Sequence, residues 1–403
     1  MRIFPDQTIV PVVTFHSVGM EHDKWVWSHL SERADIFECL VRRLRDSGYQ
    51  TVGLRELHSH MSGEQICPPK SVVLVFDDGY LDNWVSVVPI LKKYDMRGVV
   101  YVNPDFVDPG DEVRPTIEDM DLESRESQHP GQIGFMNWTE LQLAEKLGVL
   151  DVQSHSQTHT WHFSGPKIVD YYSPFNAPEY PWMAWNARPD RKPFYLQEDQ
   201  TEFVRWGTPV FEFEKSLLVK RFVPDEELIQ DVIEVVNSKG GGRFFKESGL
   251  MSDFQALVAE VTGGGEFPGR IESDDEYQER VTSELAKSKQ IIEARLDKQV
   301  DFLCWPGGGV NDICKATAAK VGYKAWTLPS SVLRDKRNQP GENPQEIRRL
   351  SAMRDVYLLG RRRGRGGELL LFLDILAHQR SAAFNLLRRL YKVGVAFGIA
   401  GEK

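Results

Sequence analysis

The sequence lacks the features that mark secreted, membrane-spanning and disulfide-rich proteins. Four cysteines among 403 residues, Cys39, Cys67, Cys304 and Cys314, show no CxxC pairing and are most simply free thiols in a reducing compartment. No run of about twenty apolar residues occurs, and the start MRIFPDQTIVPVV lacks a charged segment followed by a long apolar core and a cleavage site. We therefore expect no spanning helix, no signal peptide and a cytoplasmic protein.

An excess of basic charge is also absent. The net charge is −10, and no RNA- or DNA-binding motif occurs, which argues against nucleic acid as a partner. Hydrophobic residues make up 41% and charged residues 27% of the chain, as is typical of globular proteins. The chain is longer than most single domains, but α/β barrels reach this length when they carry insertions.

Short apolar runs alternate with helical patterns along the chain, which is typical of βα units around a parallel sheet. Seven runs are predicted to be strands, and this number favours a barrel over an open sheet. The runs are IVPVVTF (9–15), YQTVGL (49–54), SVVLVF (71–76), RGVVYVN (97–103), VLDVQS (149–154), VDFLCW (300–305) and YKAWTL (323–328). Helices are predicted at about 33–47, at 81–95 and from near Thr139.

Chemically reactive or turn-forming residues follow several of these predicted strands. His16 follows the first strand, Asp77 and Asp78 the third and His155 the fifth, while Pro-Gly-Gly follows the sixth. The carboxyl ends of the strands form the face where α/β barrels build their active sites. We therefore expect these residues to meet at one mouth of the barrel.

Two patterns at this face indicate a metal site. Asp77 and Asp78 are adjacent and repel each other, whereas a strand end that needed only a turn could use Asn-Gly or one Asp-Gly. His155 and His159 are four residues apart in DVQSHSQTH, so both imidazoles can point to one side of a helical turn. Each pattern alone is more simply a solvated turn or a chance spacing. Together, two imidazoles and a carboxylate form an open metal site.

FDDGY followed by HSQTH resembles the NodB-like polysaccharide deacetylases, a carbohydrate esterase family with a (T/F)FDDG motif and an H(S/T)xxH motif. The resemblance implies a distorted (β/α)7 barrel and a divalent metal, most often Zn²⁺. Carried over by position, it makes Asp78, His155 and His159 the metal ligands and Asp77 the general base. A bound zinc ion lowers the pKa of its water to about 7, and a neighbouring unligated carboxylate can take the proton.

The general acid is predicted from the start of the chain. The opening VVTFHSVG resembles a permuted branch of the family, which includes the poly-N-acetylglucosamine deacetylases and uses a histidine after the first strand. This resemblance assigns His16 as general acid. His378 in DILAHQR resembles a C-terminal family motif only superficially and ranks below His16. The alternative for His16 is a turn histidine bonded to the backbone.

The third motif departs from the family pattern. Many members carry an Arg two positions before the proline, whereas this chain has Cys-Trp-Pro-Gly-Gly at 304–308. The backbone N–H of Gly307 can still serve as oxyanion donor. The missing Arg leaves the orientation of Asp77 in doubt, and Arg348 or Arg349 in EIRRLSAMRD is the predicted substitute.

Two regions do not fit the βα repeat. We assign 1–160 and 270–355 to the barrel and 161–269 to an inserted cap over its mouth, since loops of this length are usually functional or disordered. Four tryptophans are the aromatic residues of interest. Trp305, Trp185 and Trp206 are candidates for stacking on sugars, while the cap residues, with Trp182, could equally form a small core of their own.

The second region is the tail, 356–403, predicted to be a basic amphipathic helical segment. A helical wheel places polar residues on one side and a broad apolar face on the other; the polar set is Asp374, His378, Ser381, Asn385, Arg388, Arg389 and Lys392. Two interpretations are open. One is peripheral contact of 360–403 with anionic lipid at the inner membrane; the other is a helix docked on the barrel wall.

The sequence thus predicts a metal-dependent hydrolase that removes an N-acetyl group from an amino sugar. The expected substrate is a bacterial surface-glycan precursor or glycolipid, nucleotide- or lipid-linked. An O-deacetylase that uses the same groups is the alternative within enzymes. A catalytically decayed carbohydrate-binding protein is the alternative outside them, and the altered third motif is its only support.

Overall fold

The computed structural model describes residues 5–20, 25–120, 133–246, 256, 258–259, 263–328, 337–352, 354–358 and 360–401. In these ranges the strands are β1 (Val12–Phe15), β2 (Ser17–Val18), β3 (Ser31–Glu32), β4 (Gln50–Thr51), β5 (Ser71–Phe76), β6 (Gly98–Val102), β7 (Leu150–Ser154), β8 (Trp161–Tyr171), β9 (Pro209–Lys215), β10 (Phe222–Pro224), β11 (Gly269–Ile271), β12 (Phe302–Leu303), β13 (Ala325–Thr327), β14 (Glu346–Ile347), β15 (Leu350–Ser351), β16 (Asp355–Leu358) and β17 (Arg361–Arg365). The helices are α1 (Ala34–Asp46), α2 (Leu54–Ser62), α3 (Val88–Lys93), α4 (Trp138–Lys146), α5 (Pro181–Ala187), α6 (Glu226–Ser238), α7 (Asp274–Leu296), α8 (Asp312–Val321), α9 (Glu368–His378) and α10 (Ala382–Ala396).

A curled parallel sheet forms the centre of the molecule, in the order β14-β13-β12-β7-β6-β5-β1-β15. The segment 346–351 provides both ends of this order, because its first half, β14, pairs with β13 and its second half, β15, pairs with β1. One short segment therefore joins the two edges and gives the sheet seven positions around a ring. The predicted distorted (β/α)7 barrel is confirmed.

The predicted strand at 49–54 takes no place in the ring. Only Gln50 and Thr51 are extended, and they pair with the first residues of β5, below the point where β1 pairs with the same strand. The chain then enters α2, because the Glu56 carboxylate accepts a 2.8 Å hydrogen bond from the Gly53 N–H and caps the helix. The seventh position is filled instead by 346–351, which the sequence analysis did not predict as a strand.

Two buried strands anchor the barrel. Every residue of β5 and of β6 is buried, as expected for continuous apolar runs covered on both faces of a parallel sheet. Helix α1 follows its predicted pattern and buries Phe37, Leu40, Val41 and Leu44 against the sheet. Most of these side chains contribute about 1.5–3 kcal/mol each on burial, so this layer fixes the strand ends rigidly.

The insertion builds its own layer beside the mouth. Strands β8 and β9 form an antiparallel pair, and helices α5 and α6 pack against it. Most of the aromatic side chains of the segment 161–215 pack together there, with Trp182 and Trp185 only 4% and 2% exposed. The core interpretation of the cap aromatics is therefore correct for Trp182.

The tail contains two helices, where the sequence analysis assumed one continuous wheel. The chain breaks between them because Arg380 has a left-handed backbone (φ 58°) and the Ser381 side chain caps the start of α10. Helix α9 packs on α1 and places Leu371, Ile375 and Leu376 in the barrel core. The docked interpretation therefore holds for α9. Within the described ranges, no helix has the length and hydropathy to cross a bilayer.

Candidate active site

The acidic pair lies where β5 ends at the barrel mouth. The Asp77 N–H donates to the Phe15 carbonyl at 3.0 Å, which keeps Asp77 in register with β1. Asp78 and Gly79 both have left-handed backbones, with φ of 75° and 72°. A Cβ on Gly79 would lie 2.9 Å from a Val102 methyl group, so only glycine fits here. The strained turn directs both carboxylates to the mouth instead of to opposite faces of the sheet.

Three side chains converge as predicted for a metal site. Asp78 Oδ1 lies 3.2 Å from His155 Nε2 and 3.4 Å from His159 Nε2. Ligands held about 2.1 Å from a tetrahedral zinc ion lie about 3.4 Å apart, so the spacing fits such an ion. His159 also adopts a positive φ of 41°, the kind of local strain that clusters at functional sites.

The donor chemistry of these groups suits a cation better than a proton. His155 Nδ1 lies 2.8 Å from the Cys304 carbonyl oxygen, which can only accept, so Nδ1 carries a proton and Nε2 is the nitrogen that faces Asp78. Asp78 Oδ1 is buried and makes no hydrogen bond within the described part of the chain. Asp78, His155 and His159 are therefore the residues that could hold a divalent metal.

The pKa values of the three groups reflect this crowding. Burial alone would raise the pKa of Asp78, but the two imidazoles hold it well below its usual range. Burial lowers the pKa of His159 to about 4, so this imidazole is neutral at pH 7 with its lone pair free. Burial would likewise lower the pKa of His155, yet Cys304 and Asp78 beside it raise it. A metal would displace that proton, which couples its binding to pH.

Asp77 is held by Arg349. Arg349 Nη1 donates to both carboxylate oxygens of Asp77, at 2.9 and 2.6 Å, and the two side chains are 11% and 3% exposed. Burial alone would raise the pKa of Asp77, but the guanidinium of Arg349 and the imidazole of His155 hold it below its usual value. Asp77 is therefore an ionised carboxylate available to take a proton.

Arg348, the named substitute for the missing third-motif Arg, does not reach Asp77. Its guanidinium donates to the Glu346 carbonyl at 3.1 Å and lies 3.5 Å from Glu342. Successive residues of an extended segment point to opposite sides, so only one of the two neighbouring arginines can face the mouth. The structure places Arg349 there, while Cys304 brings its thiol to 3.6 Å from Asp77.

A second combination of metal-binding groups overlaps the first. Asp77, His155 and Cys304 also lie close enough to share an ion. Both oxygens of Asp77 are engaged by a guanidinium, however, and the protonated Nδ1 of His155 is engaged by the Cys304 carbonyl. The set centred on Asp78 is therefore the better metal site.

His16 lies beside Asp77 and lines the same cavity as Asp78, His155 and His159. Its Nε2 is 3.8 Å from Asp77 Oδ2, its side chain is 24% exposed, and its carbonyl accepts a 2.9 Å hydrogen bond from the Asn83 side chain. The predicted general acid thus reaches the cavity. His378 does not line this cavity; it lies at the end of α9, and burial lowers its pKa to about 3.

A cavity of about 400 Å³ opens above these groups. Gly307 and Gly308 line it from the barrel, and the aromatic residues of its walls are Trp27, Tyr80, Phe106, Phe135, Trp161, Trp185 and Tyr195. Trp27 and Trp161 stack with ring centroids 5.9 Å apart, so they form one continuous face. Of the predicted sugar-stacking residues, only Trp185 lines the cavity. Trp206 stacks on Tyr172 within the cap, and Trp305 is fully buried in the barrel.

Two residues that the sequence analysis did not single out hold the histidine loop. The Asn103 side chain donates to the carbonyls of His155 and Ser156. Glu284, on α7, accepts from the Thr158 N–H at 2.7 Å and from the Ser156 hydroxyl at 3.1 Å. Asn103 ends a predicted strand and could have been found by the strand-end rule. Glu284 carries no such signal, because it is one of many acids on an amphipathic helix.

Comparison with known proteins agrees with this geometry. The model of the family "Polysaccharide deacetylase" matches residues 65–177. YxkH of Bacillus subtilis (strain 168), whose name assigns it provisionally to the polysaccharide deacetylases, is 30% identical over 93 residues, which are 23% of this chain and 31% of its own length. The poly-beta-1,6-N-acetyl-D-glucosamine N-deacetylase of Escherichia coli (strain K12) is 29% identical over 119 residues, which are 30% of this chain and 16% of its own.

The chain thus matches about a third or less of these curated relatives. A solved structure, a de-N-acetylase from Aggregatibacter actinomycetemcomitans, superimposes with a TM-score of 0.50 at 17% identity and covers 85% of this chain and 94% of its own. That likeness shows the fold. Residues 65–177 therefore match the polysaccharide deacetylase model, and the family resemblance that the two motifs indicated is confirmed.

Proposed function

We propose that the protein is a divalent-metal-dependent hydrolase that removes an N-acetyl group from an amino sugar. The observation that carries the proposal is that two adjacent carboxylates, Asp77 and Asp78, have different partners. Asp77 is ionised and held by Arg349, while Asp78 faces two imidazoles with an unsatisfied oxygen. A turn or a structural ion pair would not require this asymmetry. Metal-dependent amide hydrolysis, in contrast, uses one group that binds the metal and a second that takes the proton without binding the metal.

The chain's own residues then have separate tasks. A divalent metal held by Asp78, His155 and His159 would supply an activated water and polarise the acetyl carbonyl. Asp77 takes the proton of the attacking water, and the charge of Arg349 keeps Asp77 ionised before that step. Gly307 lines the cavity and is the residue whose backbone N–H we assign to the developing oxyanion.

His16 completes the reaction. Amide cleavage needs a proton on the departing nitrogen, and His16 lines the cavity beside Asp77. The same distance of 3.8 Å lets Asp77 steady the imidazolium electrostatically. An O-deacetylase would use the same base and donors, but its alcohol leaves more readily than an amine and depends less on His16.

The walls of the cavity support a sugar substrate of defined size. Trp27 and Trp161 offer partly exposed aromatic surface on which a pyranose ring can stack, and cap residues such as Trp161 and Tyr195 line the space above the acids. We propose a nucleotide- or lipid-linked glycan precursor at the cytoplasmic face. A peripheral membrane contact through 360–403 would bring the site to a lipid-linked substrate.

The first experiment measures metal content and turnover together. Purified protein is analysed for bound metals beside Asp78→Asn and His159→Gln, with His29→Gln as an exposed histidine control. We expect about one equivalent of a divalent ion, zinc above all, in the wild type and the control and none in the other two. Acetate release from N-acetylglucosamine oligomers should follow metal content.

Three results would overturn parts of the proposal. No metal in a folded wild type after zinc addition would leave a carbohydrate-binding protein on a hydrolase scaffold. Acetate release from O-acetylated sugars alone would replace the de-N-acetylase with an O-deacetylase. Full activity of His16→Gln on the amide would remove His16 as general acid.

A further inference from the structure

Helix α10 exposes an unusual row of large apolar side chains. Leu386, Leu390, Val393 and Phe397 follow one another at spacings of four, three and four residues, so they lie on one stripe of the helix. Their exposures are 59%, 59%, 53% and 70%. Ile399, just past the helix, is 84% exposed. Single exposed apolar residues are normal on protein surfaces, but a contiguous row marks an interaction site.

The other side of α10 is already in use. Val395 packs with Val356 and Leu370, and Arg388 pairs with Asp374 of α9. These contacts fix the rotation of α10 on its neighbours, so the stripe cannot turn inward without breaking them. The described residues thus leave the row uncovered as a lasting feature of the fold, open to a partner.

The charge around the stripe selects the kind of partner. Residues 360–401 contain eight Arg and Lys but only two Asp and Glu, in a chain whose net charge is −10. Arg361 and Arg363 on β17 and Arg389 on α10 are exposed, and β17 packs against α10. An apolar row beside such cations complements a surface that is apolar inside and anionic outside.

A second copy of this chain is the other occupant with an apolar stripe to offer. The spacing of four, three and four would suit a helix pair. Pairing two α10 stripes would, however, bring two strongly cationic tails together, which like-charge repulsion disfavours. A bilayer that contains anionic lipid gains from the same charges.

From these observations we propose that α10 and the β16–β17 hairpin form a docking surface for an anionic lipid bilayer. Helix α10 lies along the headgroup layer with its stripe in the acyl boundary, while the arginines contact lipid phosphates. The protein is then held on the surface, with the barrel kept outside the bilayer. This inference deepens the membrane contact of the proposed function by naming its surface and its lipid class, and its test requires no turnover.

The test is co-sedimentation of the full chain with vesicles. Wild-type protein is mixed with phosphatidylcholine vesicles and with vesicles of phosphatidylcholine and phosphatidylglycerol at three to one. We expect binding to the anionic vesicles alone, weakened by high salt. The variant Leu386→Ser/Leu390→Ser/Phe397→Ser should stay in the supernatant. Its fold should be retained because these side chains are exposed, and thermal unfolding checks this point.

Matched controls distinguish binding through this surface from nonspecific binding through other exposed apolar side chains. Ile66→Ser/Phe175→Ser removes apolar side chains of similar exposure (57% and 60%) outside the tail and should bind like the wild type. Arg361→Gln/Arg363→Gln/Arg389→Gln should weaken partition to anionic vesicles by about 100-fold, or about five-fold per arginine.

A charge control and a self-association measurement complete the design. Lys146→Gln/Lys287→Gln/Lys320→Gln removes three exposed cations elsewhere and should leave binding unchanged. The proposal is overturned if the wild type ignores anionic vesicles, or if light scattering shows a dimer that the serine variant abolishes while no vesicle binding occurs. An inactive Asp78→Asn protein should still bind vesicles, so failure of the proposed function would not be mistaken for failure of this one.

Discussion

Replacing Arg349 with Met should change how the protein responds to pH. The guanidinium is the strongest influence that keeps Asp77 ionised, while burial of Asp77 pushes its pKa upward. Methionine keeps much of the side-chain volume and removes the charge. Without the charge, burial prevails, and the pKa of Asp77 rises above the value it has beside Arg349.

The size of the effect follows from the geometry. Nη1 of Arg349 lies 2.6 and 2.9 Å from the two oxygens of Asp77, and both side chains are buried. Unit charges about 3 Å apart attract by about 5 kcal/mol at an effective dielectric of 20. Part of that attraction offsets the desolvation of both groups, and measured losses on breaking such pairs are about 3–5 kcal/mol. A neighbouring Arg lowers an Asp pKa by about 1–3 units.

The assay is kcat/KM for acetate release as a function of pH. We expect the acidic limb of the Arg349→Met profile to move up by about 1–3 pH units, because Asp77 must be ionised to act as base. Arg348→Met is the matched control: its guanidinium contacts Glu346 and Glu342 instead, so its loss should lower stability without moving the limb. If the acidic limb lies at the same pH in both variants, Arg349 does not set the charge of Asp77 and the argument is wrong.

Unfolding gives a second readout that needs no substrate. In the wild type the pKa of Asp77 is lowered, so its contribution to stability is present above its unfolded pKa of about 3.9 and is lost as pH falls below it. In Arg349→Met the buried charge destabilises at neutral pH, and protonation relieves it. In urea unfolding, the difference in free energy of unfolding between wild type and Arg349→Met should therefore shrink as pH falls from 7 towards 4.

Three further outcomes are expected. Burial and the nearby cations, Arg221 first among them, lower the pKa of His162 to about 2. The stability that neutral His162 contributes is therefore complete above pH 6.5 and is lost as pH falls below that value. His162→Gln avoids this loss, so at pH 4.5 its free energy of unfolding in urea should gain about 3 kcal/mol on that of the wild type, and the same pH dependence in both proteins would refute this. Ile375 is fully buried, so Ile375→Ala should cost about 2–5 kcal/mol, whereas a tail detached from the barrel would lose nothing. Glu284→Gln should weaken metal affinity by about 10-fold in a chelator competition, because Glu284 holds the loop between His155 and His159; unchanged affinity would show that the loop is fixed without it.

The meeting of Asp78, His155 and His159 could be predicted from the sequence because the signals are local. Asp78 follows a strongly apolar strand, and His155 and His159 are four residues apart in one turn, so little tertiary information is needed to bring them together. The order of the barrel strands then places both motifs at one mouth.

From the sequence, the arginine that pairs with Asp77 could be narrowed only to Arg348 or Arg349. Strands β14 and β15 have two residues each, too few to show the alternation that reveals which side faces the core. A shift of one residue in their register would exchange Arg348 and Arg349. The choice depends on pairing with β13 and β1, which are distant in the chain. The tail was misread for a related reason, since the helical wheel passed over the left-handed backbone at Arg380.

The closing segment 346–351 has a consequence for the order in which the barrel forms during synthesis. Asp77 and Arg349 are separated by 272 residues, and Arg349 lies on the segment that joins the two edges of the sheet. A nascent chain can build the six earlier positions of the ring before 346–351 emerges, and until then Asp77 lacks its counter-ion. Closing of the barrel and the pairing of Asp77 with Arg349 are therefore one folding event.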